Sequence, residues 1–157
     1  MLKTIYRAAV AWTAVGLIGG LFYREFTKAQ GVDGGTQLAL LHTHALTLGT
    51  MTMLILLALV ATLRIDEFKN FTAGFWTYTA GAALTSIMLT VKGSLQVLGS
   101  AAADSPAIAG ISGLGHITIT LGLILLLMAI GAAVKQASAG SATSAPTLSP
   151  VSASDER

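Results

Sequence analysis

Four stretches of the chain carry no Asp, Glu, Lys or Arg: residues 8–23, 38–63, 71–91 and 105–134, of 16, 26, 21 and 30 residues. A helix needs roughly 20 mostly apolar residues to cross a bilayer core. Three stretches meet that length and the first is marginal. The pattern predicts four transmembrane helices, at 6–26, 38–63, 75–98 and 113–134. Turn residues and charges fall between them. Gly31, Asp33, Gly34 and Gly35 mark the first connection, and Arg64, Asp66, Glu67 and Lys69 the second. Ser105 before Pro106 is a helix-start signal, so a short surface helix is expected ahead of the last span. Residues 136–157 are mostly Ser, Ala, Thr, Pro and Gly without apolar periodicity, and are expected to form a disordered tail. The fold class expected is all-α: an integral membrane four-helix bundle over residues 1–135.

Composition agrees. Only 10% of residues are charged and 54% are hydrophobic, against about 25% charged in a soluble domain. The net charge of +2 suggests no nucleic-acid partner. The absence of cysteine excludes disulfides and thiolate ligation. Lys3 and Arg7 ahead of an apolar run resemble a secretory leader. Gly19 and Gly20 are followed by Leu21, Phe22, Tyr23 and Arg24, bulky residues that make a poor cleavage site, so a retained first helix is expected. Lys3, Arg7, Arg64, Lys69, Lys135 and Arg157 fall on one side of the four-span topology, and only Arg24 and Lys28 on the other. Both termini are therefore expected in the cytoplasm of a bacterial cell.

The informative polar residues lie inside the apolar runs. His42 and His44 stand near the start of the second helix and His116 near the start of the fourth. Arg24 ends the first, while Lys92 and Gln96, one turn apart, end the third. In the alternating topology all six converge on the outer leaflet, and an ionisable group within a span is by default a functional candidate. Residues two apart on a helix point about 200° apart, so His42 and His44 must face different clefts. One is expected to face His116. The other is expected to face a neighbouring subunit, which predicts a homo-oligomer. Gly16 and Gly20 share a face that Arg24 continues, a pattern that permits close helix approach. Met51 and Met53 are expected to fill the core, and Trp76 and Tyr78 to mark an interfacial belt.

Heme b fits this pattern, with His42, His44 and His116 as axial ligands and Arg24, Lys92 or Gln96 toward the propionates. Copper is an alternative, since imidazole suits it. A cofactor-free accessory subunit, its histidines bonding between helices, is a third reading. No nucleophile–base pair, phosphate loop or carboxylate pair is evident, which argues against a hydrolase or kinase.

Phe22-Tyr-Arg-Glu-Phe-Thr-Lys28, Gln37-Leu-Ala-Leu-Leu-His-Thr-His44, Val91-Lys-Gly93 with Gln96-Val-Leu-Gly99, and Gly110-Ile-Ser-Gly-Leu-Gly-His116 resemble a bacterial family of small four-helix membrane proteins of unknown function. A more distant resemblance is to the catalytic subunit of heme-copper oxidases, built as three arcs of four helices. There a His-x-His pair on the second helix of an arc ligates two different hemes. The resemblance implies a heme-copper-oxidase-like four-helix unit, a homotrimer that restores the twelve-helix plan, and electron transfer to an unidentified redox partner or gas sensing. The oxidase's intramembrane acids, and a tyrosine beside the histidines, have no counterpart, which argues against oxygen reduction.

Overall fold

Four long helices follow the four uncharged runs in the computed structural model, which describes residues 1–143. They are α1 (Leu2–Gln30), α2 (Ala39–Leu63), α3 (Phe71–Val97) and α4 (Pro106–Thr143). Short 3-10 turns, Ile65–Glu67 and Ala101–Asp104, precede α3 and α4. The helices end where the backbone turns left-handed. Gly31 has φ 63°, and the next N–H, of Val32, closes back on Thr27 O at 3.0 Å. Glycine tolerates that conformation without strain. Pro106 opens α4 in the first-turn position, where its missing N–H costs nothing.

Several expected boundaries move. The helix at Pro106 does not stop as a separate surface element but runs straight into α4. At the other end α4 continues to Thr143, so residues 136–143 of the expected tail are helical. Their Ala, Gln and Lys neighbours favour helix more than the Ser and Gly suggest. The rest of that tail lies outside the described residues. α3 begins at Phe71 rather than 75, because Asn70 and Phe71 already adopt helical geometry.

Three helices are long and apolar enough to cross a membrane: Leu2–Gln30, Ala39–Leu63 and Pro106–Ala139. Their outward residues suit lipid: Ile18, Leu17 and Leu127 are 66%, 59% and 62% exposed. This is a membrane protein. α3, expected as a fourth span of the same kind, has the length but not the apolarity. Its 27 residues reach about 40 Å. It is the most enclosed of the four, with Phe71, Phe75, Tyr78, Ala82, Thr85 and Met88 all buried. A helix screened from lipid by its neighbours has less need of apolar residues.

The helices are antiparallel in sequence order. α1 lies along α2, and α3 lies along α4, while the N-terminal half of α2 packs on α3 and joins the two pairs. Among the described residues α1 and α4 do not meet. The four expected helices are present, with the α1 and α4 edges unjoined. Glycine sets the closest approaches. A Cβ on Gly81 would fall 2.5 Å from Ile119 N, and one on Gly122 would fall 2.4 Å from Tyr78 N. The backbones of α3 and α4 touch there, as small residues allow. Gly16 and Gly20, on the face singled out in the sequence, receive Leu46 and His42 of α2 in the same chain.

α2 is not uniform. Residues Ala45–Met51 form a π-helical turn directly below His44. Tyr78 Oη donates to Leu48 O at 2.8 Å and lies 3.0 Å from Thr52 Oγ1. Thr13 and Thr50 hydroxyls meet at 3.1 Å on the α1 side. Tyr78 is thus 1% exposed and holds the π turn, and is no part of an interfacial belt; Trp76 is exposed. Met53 fills the core as expected, whereas Met51 faces outward, since residues two apart on a helix point to nearly opposite sides. Tyr78→Phe is expected to lower stability by about 1 kcal/mol, measured by denaturant titration in micelles.

Candidate metal or cofactor cleft

A cleft of about 210 Å³ opens between α2, α3 and α4. Gln37, Leu40 and His44 line it from α2 and the turn before it, Thr85, Met88 and Leu89 from α3, and Ser112 and His116 from α4. Two of the three histidines therefore share one cavity. His42 lies on the opposite side of α2. Its Nδ1 donates to Gly16 O of α1 at 2.9 Å, and its ring rests on Gly20. The separation expected from the two-residue spacing is present, but His42 faces α1 of its own chain, not a neighbouring subunit. Spacing alone does not require an oligomer. Among the described residues no three of His, Cys, Asp or Glu gather at one point, so the three histidines do not form one chelate.

The imidazoles have a common orientation. Nδ1 of His44 is 2.9 Å from Leu40 O, and Nδ1 of His116 is 3.2 Å from Ser112 O. A carbonyl oxygen only accepts, so Nδ1 is the donor in all three rings. Each neutral ring then keeps its lone pair on Nε2, the nitrogen left to bind a metal. Metal-ligating histidines are commonly fixed in this way through the other ring nitrogen.

The remaining expected site residues are not brought to the cleft. Arg24 is exposed and pairs with Glu25, Nε to Oε1 3.3 Å. Gln96 Oε1 accepts the N–H of Gln37 at 2.7 Å. It caps a free backbone donor at the start of α2. Lys92 is half-buried, one turn past Met88 on α3, and does not line the cavity. Gln96→Leu is expected to destabilise the protein by about 1–2 kcal/mol through the lost cap, measured in micelles, with no change in any cofactor spectrum.

Of the eight lining residues only His44 and His116 were expected at a site; among those the sequence did not point to are Thr85 and Met88. Both lie on the face of α3 that leads to Lys92, seven and four residues earlier. Tracing the face of Lys92 back by whole turns finds them.

Fold and cleft together define a helical membrane protein with an imidazole-lined cavity. Residues 2–133 match the model of a family described as "Protein of unknown function (DUF2871)", and the chain belongs to that family. No curated protein and no solved structure matches it. The resemblance to the heme-copper oxidase subunit therefore gains no support from solved folds.

Proposed function

We propose that this is a histidine-ligated heme b protein of the bacterial cytoplasmic membrane, carrying electrons or sensing a diatomic gas. One observation carries the reading: His44 and His116 enter one cleft from two helices, each with Nδ1 held by a carbonyl and Nε2 free. The donor set fits heme b. Two imidazoles from separate helices and an apolar wall of Leu40, Met88 and Leu89 suit the ring. A bound heme would supply one-electron chemistry. The cleft is smaller than the roughly 300–1,000 Å³ pockets that enclose drug-sized ligands, so it encloses only part of such a ring.

In this reading α3 also crosses the bilayer and both termini face the cytoplasm. The Met1 amino group lies 3.6 Å from Asp66, which puts the first residue beside the second connection and on the same side as Arg64 and Lys69. A homotrimer belongs to the same reading. The unjoined α1 and α4 edges leave each row free to close against another copy.

Copper is the second reading, favoured by Met88. Its thioether shares the cleft with two imidazoles, and soft sulfur with imidazole suits cuprous ion. The test is an absorption spectrum and metal analysis of protein expressed with heme supplied. A Soret band with stoichiometric iron supports heme b. Copper without a Soret band turns the assignment to the second reading. Neither leaves an accessory subunit without a cofactor.

A further inference from the structure

At the opposite end of α2 from the histidines, a groove of about 220 Å³ opens between the last turn of α2, the second connection and α4. Leu63, Phe68 and Ala133 give it apolar walls, and Arg64, Glu67 and Gln136 give it polar ones. Its depth is that of a membrane boundary, because the apolar span of α2 ends at Leu63, one residue before Arg64. Further into the span α2 exposes Ile55 and α4 exposes Leu127, so both helices offer apolar surface to acyl chains.

The backbone singles out Arg64. Among the described residues it is the one non-glycine with positive φ, at 52°. Gly31 and Gly99, at the ends of α1 and α3, hold the same left-handed conformation. A Cβ disfavours it. Arg64 pairs with Glu67, but the two side chains are 75% and 53% exposed. An exposed pair stabilises less than a left-handed side chain costs. Folding alone would favour glycine here, and a departure of this kind points to use of the side chain. The other acid of the connection, Asp66, lies with the Met1 amino group. The groove therefore presents one cation and one anion, close together, at the edge of the bilayer.

We propose that this groove holds the headgroup of a zwitterionic phospholipid with a primary ammonium, phosphatidylethanolamine. The Arg64 guanidinium donates to the phosphate, with donors to spare beyond the one that meets Glu67. The Glu67 carboxylate accepts from the ammonium. Two carbons separate phosphate and ammonium in this headgroup, so its opposite charges lie as close together as those of the pair that receives them. An anionic headgroup would meet the carboxylate without a cation to answer it. A choline headgroup has no N–H to donate.

The probes are phosphatidylethanolamine, phosphatidylcholine and phosphatidylglycerol with identical acyl chains, each titrated into full-length protein in detergent. Bound lipid is counted by native mass spectrometry. Wild type is expected to bind phosphatidylethanolamine about tenfold more tightly than the other two, the worth of one charge-assisted hydrogen bond. Arg64→Gly is expected to weaken that binding about tenfold while its thermal midpoint stays at or above that of wild type, because glycine suits the left-handed position. That midpoint separates loss of the lipid from loss of the fold. Glu67→Gln is expected to erase the preference over phosphatidylcholine and to raise the affinity for phosphatidylglycerol. Equal binding of the three lipids by wild type overturns the proposal. So does a wild-type preference for phosphatidylglycerol, which makes the groove a site for anionic lipid, or phosphatidylethanolamine binding that Arg64→Gly leaves unchanged.

Discussion

Replacing His44 or His116 with alanine is expected to abolish the bound chromophore, while His42→Ala keeps it. The first two line the cleft, and each has Nδ1 bonded to a carbonyl of its own helix. The third is turned to α1 and bonds Gly16 O. Losing a direct ligand costs more than the 10- to 100-fold in affinity that changes around a ligand cost. Loss on the order of 100-fold or more is therefore expected for His44 and His116. The measurement is heme or copper per protein after purification, with circular dichroism to confirm that the helices persist. Retention of full cofactor in His44→Ala would remove the cleft as the site. Equal loss in all three variants would point to a cofactor shared across both faces of α2.

The second large effect lies far from the histidines' chemistry. Gly122→Leu is expected to prevent folding, and Gly122→Ala to cost about 3 kcal/mol. Backbone rather than a movable side chain occupies the space: the nearest atoms to an added Cβ are Tyr78 N and Tyr78 Cα at 2.4 and 2.5 Å. To admit even a methyl group, α3 and α4 must separate. Tyr78 would then be drawn away from Leu48 O and the π turn. Gly110→Ala is the control, because nothing lies within 4 Å of its added Cβ. It is expected to be neutral or to stabilise by up to about 1 kcal/mol through helix propensity. Monodispersity on size exclusion and a denaturant titration in micelles distinguish the three variants.

The positions of the helices were legible because a bilayer requires long uncharged runs, and the chain has four. The enclosure of α3 was not legible in the same way. Its run is uncharged, yet Thr85, Ser86 and the glycines make it less apolar than the others. Absence of charge and fitness for lipid are different properties. The divergence of His42 and His44 followed from helix geometry, because an angle of about 200° survives any packing of regular helices. What His42 faces did not follow. That depended on Gly16 and Gly20 lying opposite, and pairing of helices is not written in either sequence alone. Arg24 and Gln96 have partners in the structure that the sequence did not single out. Glu25 stands next to Arg24 in the chain, and Gln96 found a free backbone N–H that no side-chain pattern announces.

The π turn in α2 works as a phase correction. Leu41, Ala45, Gly49 and Met53 are all buried and all four residues apart. On a straight α-helix a residue four positions on arrives about 40° ahead, since 3.6 residues complete a turn. Three such steps would carry the stripe about a third of the way round the helix. Widening the turn at residues 45–51 holds back that advance, and one face stays inward from the cleft level to the core. The azimuth of the histidines is thereby decoupled from that of the packing beneath them. An insertion or deletion of one residue in this stretch would act like slipping a gear tooth, turning the imidazoles away from their cleft while leaving the lower half of α2 seated.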